Sequence, residues 1–346
     1  MQFDTLPQLG DSVSKICLGT MTWGQQNSEQ DAHEQMDYAL AQGVNFWDTA
    51  EMYPSPPDKD KQGDTERFMG SWFAKTGKRN DVVLASKISR NDFLRDGNTK
   101  FDKKTIRAAL DSNLQRLQTD HIDIYQLHWP ERQTNFFGQR GYTESMAQQD
   151  TKELTPFLET IEALNDEITK GRIRAYGLSN DTPWGVMRYL AEADKHGLAR
   201  PITIQNPYSL LNRLYEVGLA EISHREQIGL LAYSPLAFGV LSGKYLGGNK
   251  PANSRLSLYS HFTRYLNEQA QQATQAYAEV AKKHHLDMAQ MALAFVNSRS
   301  FVTANIIGAT TIEQLASNIE SVDLVLSQEV LADIEAVQTL HPNPAP

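Results

Sequence analysis

Short apolar runs alternate along this chain with longer stretches in which apolar residues recur at helical spacing, a pattern that reads as strand then helix, repeated. Phe3 to Val13 reads as a small hairpin, with Gly10 and Asp11 among its turn signals, ahead of the run Ile16-Cys17-Leu18-Gly19. Ser28, with Asp31 three residues on, is placed to open a helix whose apolar face is Ala32, Met36, Ala39 and Leu40, and Gly43 ends it. The strand Val44 to Asp48 follows at once. Val82 to Lys87 is a continuous apolar run, the pattern of a strand covered on both faces. Ile106, Leu110, Leu114 and Leu117 then form one helical stripe, and Ile122 to His128 reads as the next strand. Thr155-Pro156 opens a helix with the face Leu158, Ile161, Leu164 and Ile168, which stops at Gly171. Arg174 to Leu178, Ile202 to Gln205, Gly229 to Tyr233 and Asn305 to Gly308 are the remaining strands. About eight regular repeats predict an α/β fold, a single (β/α)8 TIM barrel domain over residues 1–346 with an N-terminal β-hairpin and long loops at its C-terminal mouth. A doubly wound sheet is the competing arrangement.

Length alone does not decide the domain count, since α/β barrels of this size are common. The net charge of -9 argues against a nucleic-acid or anionic-membrane partner, because both need a basic face. The lone Cys17, between Ile16 and Leu18, forms no intrachain disulfide and reads as a small buried hydrophobe in a reducing compartment. The N-terminus has neither a basic n-region nor an apolar h-region, and no run approaches membrane-spanning length. A cytoplasmic protein is therefore expected.

Chemistry gathers at the strand ends. Asp48, Lys87 and His128 each stand at the C-terminal end of a predicted strand, and Tyr53 hangs just past the first of them, on the face where barrels carry their reacting groups. Taken singly, each has a plainer role: a loop cap, a rim lysine, a core histidine, a packed ring. Together they form one mouth, in which Asp48 and Lys87 would pair because buried charge is costly alone. A lysine cation beside a phenol should lower its pKa toward neutrality, as suits a proton donor, and His128 would orient the reacting oxygen. No nucleophilic serine or cysteine stands with them. The histidines, with His284-His285 adjacent, do not have metal-ligand spacing, so no metal is expected.

Three connections exceed ordinary loop length: Trp129 to Lys152, Phe238 to Asn267 and the tail beyond Ser327. Trp23, Trp129, Phe136 and Phe137 would give a mouth an apolar lining, although Phe136 and Phe137 could equally tack loops down. In the second half, Ser179 and Asn180, Gln205, and the run from Tyr233 to Lys244 follow successive strands. Gly308 to Gln314 then opens a helix, where barrels often hold phosphate. Thr311 and Gln314 also have capping-box spacing. Gly239 to Lys244 is one residue short of a phosphate loop and puts Tyr245 where serine or threonine should stand, and there is no G-x-G-x-x-G.

With these residues assembled, the chain resembles the aldo-keto reductase family, and within it the bacterial Tas-like branch. The matching segments are Asp48-Thr49-Ala50-Glu51-Met52-Tyr53, Ser86-Lys87, His128-Trp129, Gly177 to Asn180, Gln205 to Tyr208 and Ile307 to Asn318. The resemblance runs nearly end to end. It implies a barrel that binds NADPH across its mouth and reduces aldehydes or ketones to alcohols by hydride transfer. By position, Tyr53 is then the general acid, Lys87 and Asp48 tune it, and His128 orients the carbonyl. Cofactor contacts implied in the same way are Thr22, Trp23 and Asp48, the carboxamide clamp Ser179, Asn180 and Gln205, and Tyr233 stacked on the nicotinamide. The pyrophosphate belt is Ser234-Pro235-Leu236-Ala237-Phe238-Gly239-Val240-Leu241-Ser242-Gly243-Lys244. Lys244, Arg255, Gly308, Thr310, Gln314 and Asn318 would meet the adenosine and 2′-phosphate end. The rim from Pro54 to Gly63 is longer than the family's usual turn, which separates this chain's substrate range from any inherited one. Two other roles remain open on the residues. One is a cofactor-sensing association protein, as among potassium-channel β subunits. The other is a Schiff-base lyase using Lys87.

Overall fold

The computed structural model describes residues 1–346 apart from Pro7, Asp92 and Arg140. Pro7, in the expected hairpin, and Arg140, in the Trp129 to Lys152 connection, therefore lie outside the described residues. A hairpin of β1 (Phe3–Leu6) and β2 (Asp11–Ser14) opens the chain. Eight parallel strands follow: β3 (Ile16–Gly19), β4 (Phe46–Asp48), β5 (Val83–Ile88), β6 (Ile122–Leu127), β7 (Ile173–Ser179), β8 (Thr203–Pro207), β9 (Gly229–Tyr233) and β10 (Val302–Ile307). The ladder that sets Ile306 opposite Cys17 joins β10 to β3 and closes the barrel, which excludes the doubly wound sheet.

Side chains alternate across each strand, and the two faces meet different neighbours. Inward-facing Cys17, Phe46, Val83, Ala85, Ile124, Leu231 and Ala304 pack with Leu6 and Val13 of the hairpin, which thereby plugs the floor. Their strand neighbours Leu18, Trp47, Leu84, Tyr125, Tyr176 and Leu230 belong to the larger layer beneath the helices. Both faces are covered, as a parallel sheet requires.

The helices start where their caps predict. Ser28 and Asp31 complete a reciprocal capping box on Glu29–Ala41, and Thr182 and Pro183 begin Pro183–His196. Helices Asp64–Thr76 and Lys103–Leu117 touch at Gly70, where a Cβ would lie 2.2 Å from the backbone oxygen of Arg116, so only glycine fits. The tail beyond Ser327 is no loop. The Ser327 hydroxyl caps helix Gln328–Leu340, whose Val330, Ile334 and Val337 form a buried stripe at helical spacing that the loop reading passed over. Among the described residues no helix is long and apolar enough to cross a membrane.

Candidate active site

Three strand ends and one loop build the centre of the mouth. Asp48 ends β4, Lys87 is the last inward residue of β5 and His128 follows β6, while Tyr53 returns from the loop after β4. Lys87 Nζ donates to Asp48 Oδ2 at 2.6 Å and to the Thr49 carbonyl at 2.7 Å, with both charged side chains buried. The same ammonium lies 5.1 Å from the centre of the Tyr53 ring, and that ring meets His128 edge-on at 5.9 Å. The four groups expected from the sequence thus converge.

Electrostatics refines one expectation. Burial pushes the Tyr53 phenol above its ordinary value; Lys87 pulls it down, but Asp48 pushes the same way as burial. The expected depression toward neutrality is therefore corrected: desolvation of the phenolate wins because the cation that would offset it is already paired with Asp48. Burial also opposes the charge on Lys87, yet Asp48 and Tyr53 outweigh it and hold the ammonium above its usual range. His128 is driven well below its ordinary value by burial and by Lys87, so it is neutral near pH 7.

Four residues that the sequence reading did not single out complete the centre. Gln126 donates to Asp48 Oδ1 at 3.1 Å and accepts from Gln205 Nε2 at 3.1 Å. Ser89 Oγ sits 2.6 Å from His128 Nδ1, and the Ser89 backbone is held between Glu51 and Arg95, themselves paired at 2.7 Å. Period-two alternation carried the signal: Gln126 stands two before His128 and Ser89 two after Lys87.

The neighbouring rim holds the expected second set. Gln205 Nε2 reaches Asp48 Oδ1 at 2.8 Å, Ser179 Oγ donates to the Gln205 carbonyl at 2.9 Å, and Asn180 Nδ2 donates to the His128 carbonyl at 2.9 Å. Tyr233 hydroxyl donates to Asn180 Oδ1 at 2.6 Å. Beyond Tyr233 the belt is wound tightly, with Ser234, Ala237, Phe238 and Gly239 all in the left-handed region. Three of these are not glycine, a strained backbone of the kind that ligand loops keep. A side chain at Gly239 would collide with Lys244, whose Nζ would lie 2.9 Å from the added Cβ.

The far end of the rim is tied together by its own polar groups. Thr22 Oγ1 donates to Asn27 Oδ1, Asn27 Nδ2 to the Thr310 carbonyl, and Asn318 Nδ2 to the Gly308 carbonyl. Gln314 Oε1 accepts from the backbone and hydroxyl of Thr310, one residue before the cap, so only the Thr311 half of the expected box is built as drawn. Trp23 is corrected as a mouth-lining ring. It is fully buried under the helices, with its indole N–H on Gln35 at 3.1 Å and its carbonyl accepting from Thr65 Oγ1 at 2.7 Å.

Arg255 is held by groups from the long loop and the Pro54 to Gly63 rim. It is stacked 4.7 Å over Phe238 and 5.0 Å over Phe262, with Nη2 3.2 Å from Ser55 Oγ. Its Nε is buried without a partner, and burial pulls the guanidinium down to about 10, so it remains charged at neutral pH. A cation held by rings and a hydroxyl, with an orphaned N–H and no ion pair to a carboxylate among the described residues, fits a phosphate-bearing ligand. Among the described residues no cluster of histidine, cysteine and carboxylate side chains could hold a metal ion.

A family model described as Aldo/keto reductase family matches residues 15–339. "Protein tas" of Escherichia coli (strain K12) is 53% identical, with 100% of both chains covered. "Uncharacterized oxidoreductase YrpG" of Bacillus subtilis (strain 168) is 34% identical over 96% of this chain and 94% of its own. "Probable voltage-gated potassium channel subunit beta" of Oryza sativa subsp. japonica is 29% identical over 99% of this chain and 98% of its own.

Proposed function

Because the chain belongs to the aldo/keto reductase family of oxidoreductases, we propose that it works as one barrel domain that reduces aldehydes or ketones to alcohols with NADPH. The observation that carries this reading is the Tyr53 phenol set between the Lys87 ammonium and the His128 ring. NADPH supplies the hydride when bound. Ser179, Asn180, Gln205 and Tyr233 would hold its nicotinamide end, the belt Ser234 to Lys244 its pyrophosphate, and Arg255, Gly308, Thr310, Gln314 and Asn318 the remainder, with Thr22 and the backbone of Trp23 alongside.

The protein's own groups then divide the work. Tyr53 keeps its proton at neutral pH because its pKa is raised, and releases it to the substrate oxygen as negative charge develops there. Lys87 stabilises the tyrosinate left behind, and Asp48, Gln126 and Gln205 fix Lys87 in place. In the tautomer with Ser89 donating to Nδ1, neutral His128 presents Nε2–H to the same oxygen. The Schiff-base alternative needs an unprotonated lysine, whereas Lys87 is doubly hydrogen-bonded and holds its proton more tightly than usual. The association reading draws on the potassium-channel relatives. NADPH consumption by the purified protein across a panel of aldehydes and ketones separates it from catalysis. Carbonyl-dependent consumption is expected; none with any carbonyl sinks the reductase reading and leaves association.

A further inference from the structure

Around the substrate side of the mouth runs a circuit of contacts. His128 touches the half-buried Trp129 with ring centres 4.7 Å apart, Trp129 meets the exposed Phe137 edge-on at 6.2 Å, and Phe137 carries the guanidinium of Arg264 at 5.4 Å. Arg264 lies beside the hydroxyls of Tyr233 and Tyr265. Tyr233 closes the circuit through Asn180 to the His128 backbone at 2.6 and 2.9 Å. The circuit starts at His128, so a carbonyl bound there has Trp129 and then Phe137 as its aromatic neighbours on this side.

Arg264 is the one cation of that circuit. It is half-buried among the rings of Phe137 and Tyr265 and the hydroxyls of Tyr233 and Tyr265, with an oxygen of Pro346 on the same side near Gly138, and it forms no ion pair within hydrogen-bonding reach among the described residues. Half-buried Arg95, Arg116 and Arg132, and the buried Arg213, are each paired with a carboxylate. A cation taken partly out of water without a counter-charge is costly unless a ligand supplies one. A planar fork beside aromatic walls suits a carboxylate carried on an apolar or aromatic body. Arg255, which we assign to the cofactor, is stacked on Phe238, whose ring meets Tyr265 at 5.1 Å, so Tyr265 stands between the two guanidinium groups.

We propose that Arg264 is the anion-binding residue of the substrate pocket, and that the carbonyl compounds this site prefers bear a carboxylate on the substituent that passes between Phe137 and Tyr233. This rests on the carbonyl-reductase reading above. The test compares 4-carboxybenzaldehyde with methyl 4-formylbenzoate, which share the reacting group and differ in that one charge, for the NADPH-loaded wild type, Arg264→Met and Arg264→Lys.

The wild type is expected to favour the acid by roughly tenfold or more in kcat/KM, through KM, since contacts to charged groups are the stronger class. Arg264→Met should bring the ratio near one, and Arg264→Lys should restore part of it. A wild type that turns over both aldehydes without favouring the acid overturns the proposal, and so does an Arg264→Met ratio equal to the wild type's. Should Arg264→Met fail to fold, the wild-type ratio and the lysine variant still decide. No turnover of either aldehyde counts against carbonyl reduction instead. Quenching of the protein's tryptophan fluorescence by the two compounds, compared between wild type and Arg264→Met, then reads Arg264: tighter binding of the acid that the variant loses supports the anion site, and equal binding of the two compounds to the wild type overturns it.

Discussion

Ser86 and Lys87, adjacent on β5, point into two buried polar networks on opposite faces of one strand. Outward, Ser86 donates to Glu66 at 2.6 Å, and the same carboxylate takes Asn113 at 2.6 Å and Arg116 at 2.7 Å, with Tyr125 donating to Asn113 behind them. Inward, Lys87 meets Asp48 with Gln126 and Gln205 around it. Both are buried ion pairs in a shell of amides and hydroxyls, so burial and pairing alone do not mark a reacting site. What separates them is where the network ends. The outer one is closed over by helices Asp64–Thr76 and Lys103–Leu117, whereas the inner one ends at Tyr53 and His128 at the barrel mouth.

If that distinction is right, the outer pair governs stability. Glu66→Ala leaves the half-buried Arg116 without its counter-charge and the buried Ser86 and Asn113 without their acceptor, and should lower the unfolding free energy by about 3–5 kcal/mol; denaturant unfolding measures it, and cofactor affinity of the folded fraction should hold. The inner network governs turnover. Tyr53→Phe should keep cofactor affinity and melting temperature near wild type while carbonyl reduction falls roughly 100-fold or more. An undiminished rate would mean the proton comes from elsewhere, and the contrast between the networks would lose its chemical half.

A third change probes the rim, which belongs to neither network. If Lys244 meets the 2′-phosphate, Lys244→Ala should erase a preference for NADPH over NADH of roughly 1.5 to 3 kcal/mol, read by fluorescence titration with both nucleotides. Equal affinities in the wild type would remove the assignment.

The smallest effect is a pH dependence confined to the inner side. His128 has its pKa depressed in the folded chain, while the unfolded imidazole takes a proton near pH 6.5. Below that value the unfolded chain binds more protons, so stability is full above it and falls on acidification toward the folded value. The gap in melting temperature between wild type and His128→Gln should therefore narrow between pH 7 and pH 5. A constant gap would show that His128 does not carry the dependence.

The strand-and-helix rhythm was legible because a barrel repeats one unit, and each unit carries its own periodicity and caps. Asp48, Lys87 and His128 were legible because polar residues at the end of apolar runs stand out. Gln126 and Ser89 were not, since an amide inside a strand or a hydroxyl just past one reads as ordinary until its partner is known. Trp23 misled for the opposite reason: an aromatic near a strand end looks like a mouth residue, and only its bond to Gln35 shows it turned under the helices. The phenol pKa failed because one neighbour was weighed without the desolvation that accompanies it. The tail's length suggests a loop, whereas the spacing of Val330, Ile334 and Val337 is that of the helix the structure shows.

The hairpin plug described at the barrel floor, Leu6 and Val13 against Cys17 and Phe46, makes the two ends of the barrel unequal. Substitutions at the floor should be felt in the melting temperature, and the mouth is left as the end that can change its loops without opening the core.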